Sequence, residues 1–217
     1  MYNDKDLVDI YDEAMNHIGV ESKGSVHQTG SWHKSIHCWI TKKDSTGDYL
    51  LFQKRSADKK LLPDYYDVTV AGHLEKNEIV QDAIREVTEE LGLETEFDNW
   101  RYLGIKFDVN KNSQTVNKEF CETFIIRNDQ PLQNYHINRE EVDSLIQIKI
   151  EDGLRLFAGE TPIISAAGVV WDKNLLEWIN THVNVSVDMF IPRIDFYYSK
   201  MLINARLFLN GEKYIYV

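Results

Sequence analysis

Glu86, Glu89 and Glu90 recur at a spacing that gathers three carboxylates on one side of a helix. At about 100° per residue they fall within about 100° of one another, while Val80, Ile84, Val87 and Leu91 form the opposite, apolar stripe. The pattern predicts a helix over Val80–Leu91 that stops at Gly92, a residue suited to a left-handed cap. Like charges on adjacent turns repel by about a few tenths of a kcal/mol per pair. A hard divalent cation such as Mg²⁺ takes a few carboxylates together with waters and phosphate oxygens, and would turn that repulsion into binding. An acidic helix face alone, with Arg85 beside it, reads more simply as solvated surface. The loop before the helix reverses that reading.

Gly72, five residues, Glu78, and then Arg85-Glu86-Val87-x-Glu89-Glu90-x-Gly92-Leu93 resembles the signature of the Nudix hydrolases. The resemblance implies a loop–helix–loop that binds Mg²⁺, or Mn²⁺ in its place, against a small-molecule diphosphate. It implies that Glu86, Glu89 and Glu90 hold the metal with the carbonyl of Gly72, and that Arg85 orients the cluster. The base that takes a proton from the attacking water would be Glu89, with Glu119 second. Family members usually place seven residues between the loop Glu and the Arg; here there are six, Ile79 to Ile84. Asn77 also stands where Gly is common and Asp82 where a small residue is usual, so the path into the helix and the role of Glu78 are altered.

The run Lys54-Arg55-Ser56-Ala57-Asp58-Lys59-Lys60 is a basic patch in an acidic chain. A diphosphate beside carboxylates needs cations, and the fork of Arg55 suits bidentate contact with phosphate oxygens; Arg55 and Lys59 are the substrate-binding candidates. The longer pattern, Trp32-His33-Lys34-Ser35-Ile36-His37-Cys38-Trp39-Ile40 and then Gln53 through His73, is similar to the Nudix subgroup of isopentenyl-diphosphate isomerases and their hydrolase relatives. That similarity covers about Val26 to Leu145. The isomerases use a cysteine shortly before the Gly-His pair, and Asp67-Val68-Thr69-Val70-Ala71 contains none. Hydrolysis of a nucleoside diphosphate linked to X, or of a similar organic diphosphate, is therefore the expected reaction. An isomerase-like enzyme and a nucleotide-sensing domain without turnover are the alternatives. Glu119 resembles the downstream glutamate of that subgroup and is the fourth carboxylate expected at the metal. Strand alternation sets Glu119 with Cys121 and Thr123 and leaves Glu122 on the other face. His27, His33, His37 and His73 lack zinc-site spacing, so His73, next to Gly72, is expected to shape the substrate pocket.

The elements that must position these groups are visible as periodicities. Ile36–Ile40 and Tyr49–Gln53 read as a hairpin around Asp44-Ser45-Thr46-Gly47, and Tyr102–Phe107, Glu119–Arg127 and Ser144–Ile150 as strands, with a loop over Asn110–Asn117. Leu7–His17 fits a short amphipathic helix or a strand. Leu154–Val170 and Leu175–Val183 read as helices, and Lys213–Val217 as strand-like. The expected fold is α/β (α+β), a Nudix-like mixed sheet between helices. It is divided into an N-terminal extension (1–29), a catalytic core (30–152) and C-terminal helices with an aromatic tail (153–217). That tail would cover the site or form a homodimer contact. A net charge of −11 over 217 residues leaves no basic face for nucleic acid. No apolar run reaches the roughly 20 residues of a membrane span, and the acidic start from Met1 is unlike a secretion signal, so a cytoplasmic protein without membrane partners is expected. Cys38 and Cys121 read as reduced packing residues.

Overall fold

The computed structural model describes residues 6–59, 61–111, 115–172 and 174–217. Strands β1 (Leu7–Tyr11) and β2 (His17–Ser22) form a hairpin, and α1 (Lys23–Thr29) leads into β3 (Trp32–Asp44) and β4 (Gly47–Arg55). Short strands β5 (Tyr66–Asp67) and β6 (Val70–His73) precede a 3₁₀ turn (Val80–Ala83) and α2 (Ile84–Leu91). Then come β7 (Arg101–Lys111), β8 (Val116–Arg127), β9 (Val142–Lys149), α3 (Ile150–Phe157), β10 (Ile164–Asp172), β11 (Glu177–Val185) and α4 (Tyr197–Leu209).

Alternation along the central strands builds two cores. Trp39, Leu50, Phe52, Ile146 and Ile148 pack on one side with Met201, Leu202 and Ala205 of α4 and Leu156 of α3. Cys38, Ile40, Leu51 and Leu145 pack on the other with Val87 and Leu91 of α2. A sheet buried on both faces between helices follows directly from a period of two. The sheet runs β11-β10-β9-β4-β3-β1-β2, with β6 and β8 also on β3, β7 on β8 and β5 on β4. The β3–β8 ladder is parallel and the other ladders are antiparallel, so the sheet is mixed as expected. β8 runs beside β3 from His33 to Thr41, while on the other edge of β3 the first half pairs with β6 and the end with β4. Residues that sequence holds far apart meet at that first half.

Five readings of secondary structure are corrected in whole or in part. Leu7–His17 is not a helix: Leu7–Tyr11 is strand β1, and the rest is the turn and the first residue of β2. The helix expected from Leu154 ends at Phe157, and both Ile164–Asp172 and the stretch expected as a second helix are strands, paired from Ile164↔Val185 to Asp172↔Glu177. Pairing with β10 overrides the apolar spacing at 175, 176, 178 and 179, which instead spans a turn and an edge strand. The aromatic tail holds α4, whose buried Tyr197, Tyr198, Met201, Leu202 and Ala205 follow a helical period. Its end is no strand, although the Val217 amide donates to the Leu103 carbonyl at 3.0 Å. Of the loop expected at Asn110–Asn117, Asn110 and Lys111 belong to β7 and Val116 and Asn117 to β8, while 112–114 lie outside the described residues. So do Lys60 of the basic run and the acidic start 1–5. No helix among the described residues is long and apolar enough to cross a membrane.

Candidate active site

The acidic helix begins in a tight 3₁₀ turn and continues as α2, with Gly92 in the left-handed cap at φ 60° and its amide donating to Thr88 O at 2.9 Å. The 3₁₀ turn carries the shortened connection into the helix. Asn77 takes a left-handed φ of 65°, a conformation that Asn tolerates better than most residues, and the Asp82 carboxylate accepts the Ile79 amide at 2.9 Å. Glu78 still reaches the helix. Arg85 donates to both its oxygens, Nε to Oε1 at 2.7 Å and Nη2 to Oε2 at 3.0 Å. The same guanidinium donates to Glu86 Oε1 at 2.7 Å, Glu89 Oε2 at 3.3 Å and the His73 carbonyl at 3.2 Å. Arg85 thus ties loop, helix and strand β6 together through these bonds. At Gly72 an added Cβ would lie 2.1 Å from the Glu86 Cδ, so a side chain there would displace the Glu86 carboxylate.

Glu86, Glu89 and Glu90 line one groove with Gly72, Arg55 and Lys59. Glu90 is 4% exposed, and its Oε2 is buried without a hydrogen-bond partner among the described residues. Burial, then the neighbouring Glu86, raises its pKa, and burial likewise raises that of Glu86. Two partly desolvated carboxylates, one with an orphaned oxygen, suit a hard cation, whose charge would reverse both shifts. Glu89 is more exposed, at the rim of the groove. Arg55 uses Nε and Nη2 on the carbonyls of Leu61 and Leu62 at 3.0–3.3 Å, and no carboxylate pairs with it among the described residues. Lys59 pairs with Glu141.

On the other side of Gly72 lies a cluster that spacing does not reveal. His27 of α1, His33 of β3 and His73 of β6 bring ring nitrogens within 4.8 Å of one another. His33 and His73 stack at 5.1 Å between centroids, and His27 meets them edge-on at 5.3 and 5.4 Å. Glu119 Oε1 faces His73 Nε2 at 3.4 Å and His33 Nε2 at 3.7 Å, and the carboxylate is held by Ser35 Oγ at 2.8 Å and Asn117 Nδ2 at 2.7 Å. Strand register makes the cluster: His33 lies opposite Glu119, and Ser35 opposite His73. Burial holds His27 down to about 4 and lowers His73, against the Glu119 carboxylate that raises it. Burial alone would raise Glu119, but the facing His33 and His73 hold it well below the carboxylate range. Glu122 lies elsewhere, bonded by the Tyr102 hydroxyl at 2.8 Å and near Lys34 at 3.8 Å. Glu119 lines the cavity beside the histidines and not the groove of Glu86, Glu89 and Glu90. His73, expected to shape the pocket, also belongs to a group of three histidines whose ring nitrogens lie close enough together to share an ion.

A model of the NUDIX domain matches residues 31–160 of the chain. The chain belongs to the Nudix hydrolase family. It is 31% identical over 202 residues to an uncharacterized Nudix hydrolase of Clostridium acetobutylicum, covering 92% of this chain and 96% of that one. It is also 31% identical over 132 residues to isopentenyl-diphosphate Delta-isomerase 1 of Aromatoleum aromaticum, covering 60% of this chain and 72% of that protein. The crystal structure of DR0079 from Deinococcus radiodurans shares the fold, with a TM-score of 0.53 at 23% identity over 70% of this chain and 89% of that one. The reaction of this Nudix hydrolase is cleavage of a diphosphate bond.

The aromatic tail of the Nudix chain, to which its sequence assigns no chemistry, supplies a charged group to the site. Arg193 donates Nη1 to Asp108 Oδ2 at 2.7 Å and Nη2 to both oxygens of Asp67 at 2.8 and 3.0 Å. The Tyr198 hydroxyl donates to Asp67 Oδ1 at 3.0 Å. Burial would raise the pKa of Asp67, but the Arg193 guanidinium holds it below the ordinary carboxylate value. The only signal in the sequence is a lone Arg in an aromatic stretch, with nothing to name its partners 85 and 126 residues away.

Proposed function

We propose that this Nudix hydrolase binds a divalent cation, Mg²⁺ or Mn²⁺, at Glu86 and Glu90 with the Gly72 carbonyl, and uses it to hydrolyse a small organic diphosphate such as a nucleoside diphosphate linked to X. Such a cation polarises phosphoryl oxygens and lowers the pKa of water. Arg85 holds Glu86 in place through the bond at 2.7 Å. Glu89, at the open rim, takes the proton of the attacking water, and Arg55 and Lys59 neutralise the phosphates across the groove. The buried, orphaned oxygen of Glu90 beside Glu86 carries the reading. His27, His33 and His73, with Glu119 against two of them, offer a second donor set, of nitrogen and oxygen, suited to a borderline ion such as Zn²⁺. In this arrangement Glu119 serves the histidine site rather than the helix.

The test is phosphate-bond cleavage across nucleoside diphosphate sugars, dinucleotides, coenzymes and prenyl diphosphates with added Mg²⁺. Cleavage that chelation abolishes supports the reading, and no cleavage of any of them rejects it. Similarity to an isomerase favours a second reading, allylic rearrangement of a diphosphate, which would give a product of unchanged mass. Against it, Ala71 stands before Gly72-His73, and burial pushes the nearby Cys121 thiol far above its ordinary pKa, so no ready thiolate is present.

A further inference from the structure

Strand β4 changes character along the face it turns to α2. Leu51 is buried in the core formed with Val87 and Leu91 of that helix, and Arg55, at the end of the strand, lines the groove with Glu86, Glu89 and Glu90. Between them, on the face of Leu51, stands Gln53. It is 3% exposed, and its backbone is laddered on both sides, to Leu145 of β9 and Asp67 of β5. Packing alone calls for another aliphatic residue at this depth, because a buried amide needs partners for a carbonyl oxygen and for two N–H bonds. Gln53 meets that demand only in part. Its Oε1 is buried without a hydrogen-bond partner among the described residues, and so is Oε2 of Glu90. The two side chains also meet: burial and then Glu86 push the Glu90 pKa up, while Lys59, Arg55 and a hydrogen bond from Gln53 oppose the rise. An ionised carboxylate only accepts, so the donor is Nε2 of Gln53, and the orphaned Oε1 is the other end of the same amide.

We infer that Gln53, which lies outside the Gly72–Leu93 signature, is a positioning residue of the cation site at α2: its Nε2 fixes the Glu90 carboxylate from below and leaves Oε2 bare for the ion. The inference rests on the reading that Glu90 holds the cation. The chemistry of the partner supports the role. A lysine or arginine at this depth would pair with Glu90 and compete with the metal for its charge, whereas a neutral amide orients the carboxylate and leaves the charge in place. Glu86 and Glu90 are then gripped from opposite sides. Arg85 holds Glu86 from within the helix at 2.7 Å, and β4 holds Glu90 from the sheet. The unpartnered Oε1 is a cost that a residue present only for packing would not impose.

The test reads metal binding rather than turnover. The full native chain, Gln53→Met, Gln53→Asn, Glu90→Gln and the double variant Gln53→Met with Glu90→Gln are titrated with Mg²⁺, following heat and the rise in unfolding temperature. Gln53→Met keeps the length and removes both polar atoms; Gln53→Asn keeps the amide but draws it back by one methylene, and carries the test if Gln53→Met does not fold. Each should weaken Mg²⁺ binding about tenfold or more, the scale of losing a group that orients a metal ligand. In the Glu90→Gln background, Gln53→Met should cost nothing further, because the residue acts through Glu90. A residue that merely fills space would weaken binding equally in both backgrounds. Native affinity in a folded Gln53 variant, or equal losses with and without Glu90, overturns the inference while leaving the cation at Glu90. Mg²⁺ binding that Glu90→Gln does not change, or none by the native chain, overturns that reading and the inference with it.

Discussion

At Glu90 two demands conflict: a carboxylate needed for charge is placed where charge is expensive. Its 4% exposure and unpartnered Oε2 make the metal-free protein bear a desolvation cost that a cation would relieve. Glu90→Gln keeps the shape and removes that cost, so the unfolding temperature of the metal-free protein should not fall. Turnover should drop by about two or more orders of magnitude, the scale of losing an electrostatic stabiliser. Near-full activity in this variant would remove α2 from the metal site. Arg55 offers a different signature. Its guanidinium is braced by two carbonyls and pairs with no described carboxylate, so Arg55→Ala should raise KM more than it lowers kcat. Arg55→Lys should restore only part of the loss, because the fork is gone. Unchanged kinetics in both variants would return Arg55 to a structural role in the 61–62 turn. These side chains are legible in the sequence because each lies within one local pattern, a helical period or a basic run. Arg193 is not, because its meaning depends on Asp67 and Asp108, which only the tertiary fold brings to it.

Elements decide which of those patterns meet. The strand pairs around β3 and the α2 helix follow from local periodicity, whereas the histidine cluster arises from three elements in the first third of the chain closing on a fourth, β8. No spacing rule on a single helix or strand could expose it. The reading of β10 and β11 as helices fails for the opposite reason: the local apolar spacing is genuine, but the pairing of β10 with β9 and of β11 with β10 outweighs it. Gly72 tests the element scale directly. Its backbone and the Glu86 carboxyl occupy touching positions, with only 2.1 Å for an added Cβ. Gly72→Ala should therefore displace Glu86, abolish stabilisation by added Mg²⁺ and lower activity as far as Glu90→Gln does, while far-UV circular dichroism stays unchanged. Retained metal-induced stabilisation would show that β6 and α2 do not form one site.

For the whole molecule, the network centred on Arg193 ties the tail to β5 and β7 across the core. Removing one partner of a buried ion pair leaves a charge without compensation, and Arg193→Met should cost about 3–5 kcal/mol at neutral pH. The pH dependence has a definite sign. In the native chain the lowered pKa of Asp67 contributes stability above its unfolded value, near about 3.9, that is lost only as pH falls through the lower folded value. Without Arg193 the buried carboxyl keeps the Tyr198 hydroxyl but loses its cation and takes up its proton at higher pH, so the deficit of Arg193→Met should shrink on acidification. Denaturant unfolding at neutral and mildly acidic pH measures this, and a deficit that grew in acid would contradict the assignment. The most direct test of the central claim is hydrolysis of an identified diphosphate substrate in ¹⁸O-water with Mg²⁺, comparing the native chain with Glu90→Gln. The account predicts one ¹⁸O in a phosphate product of the native chain, and loss of that product with chelator or in the variant. A substrate-mass isomer without ¹⁸O, or cleavage indifferent to both metal and Glu90, would contradict it.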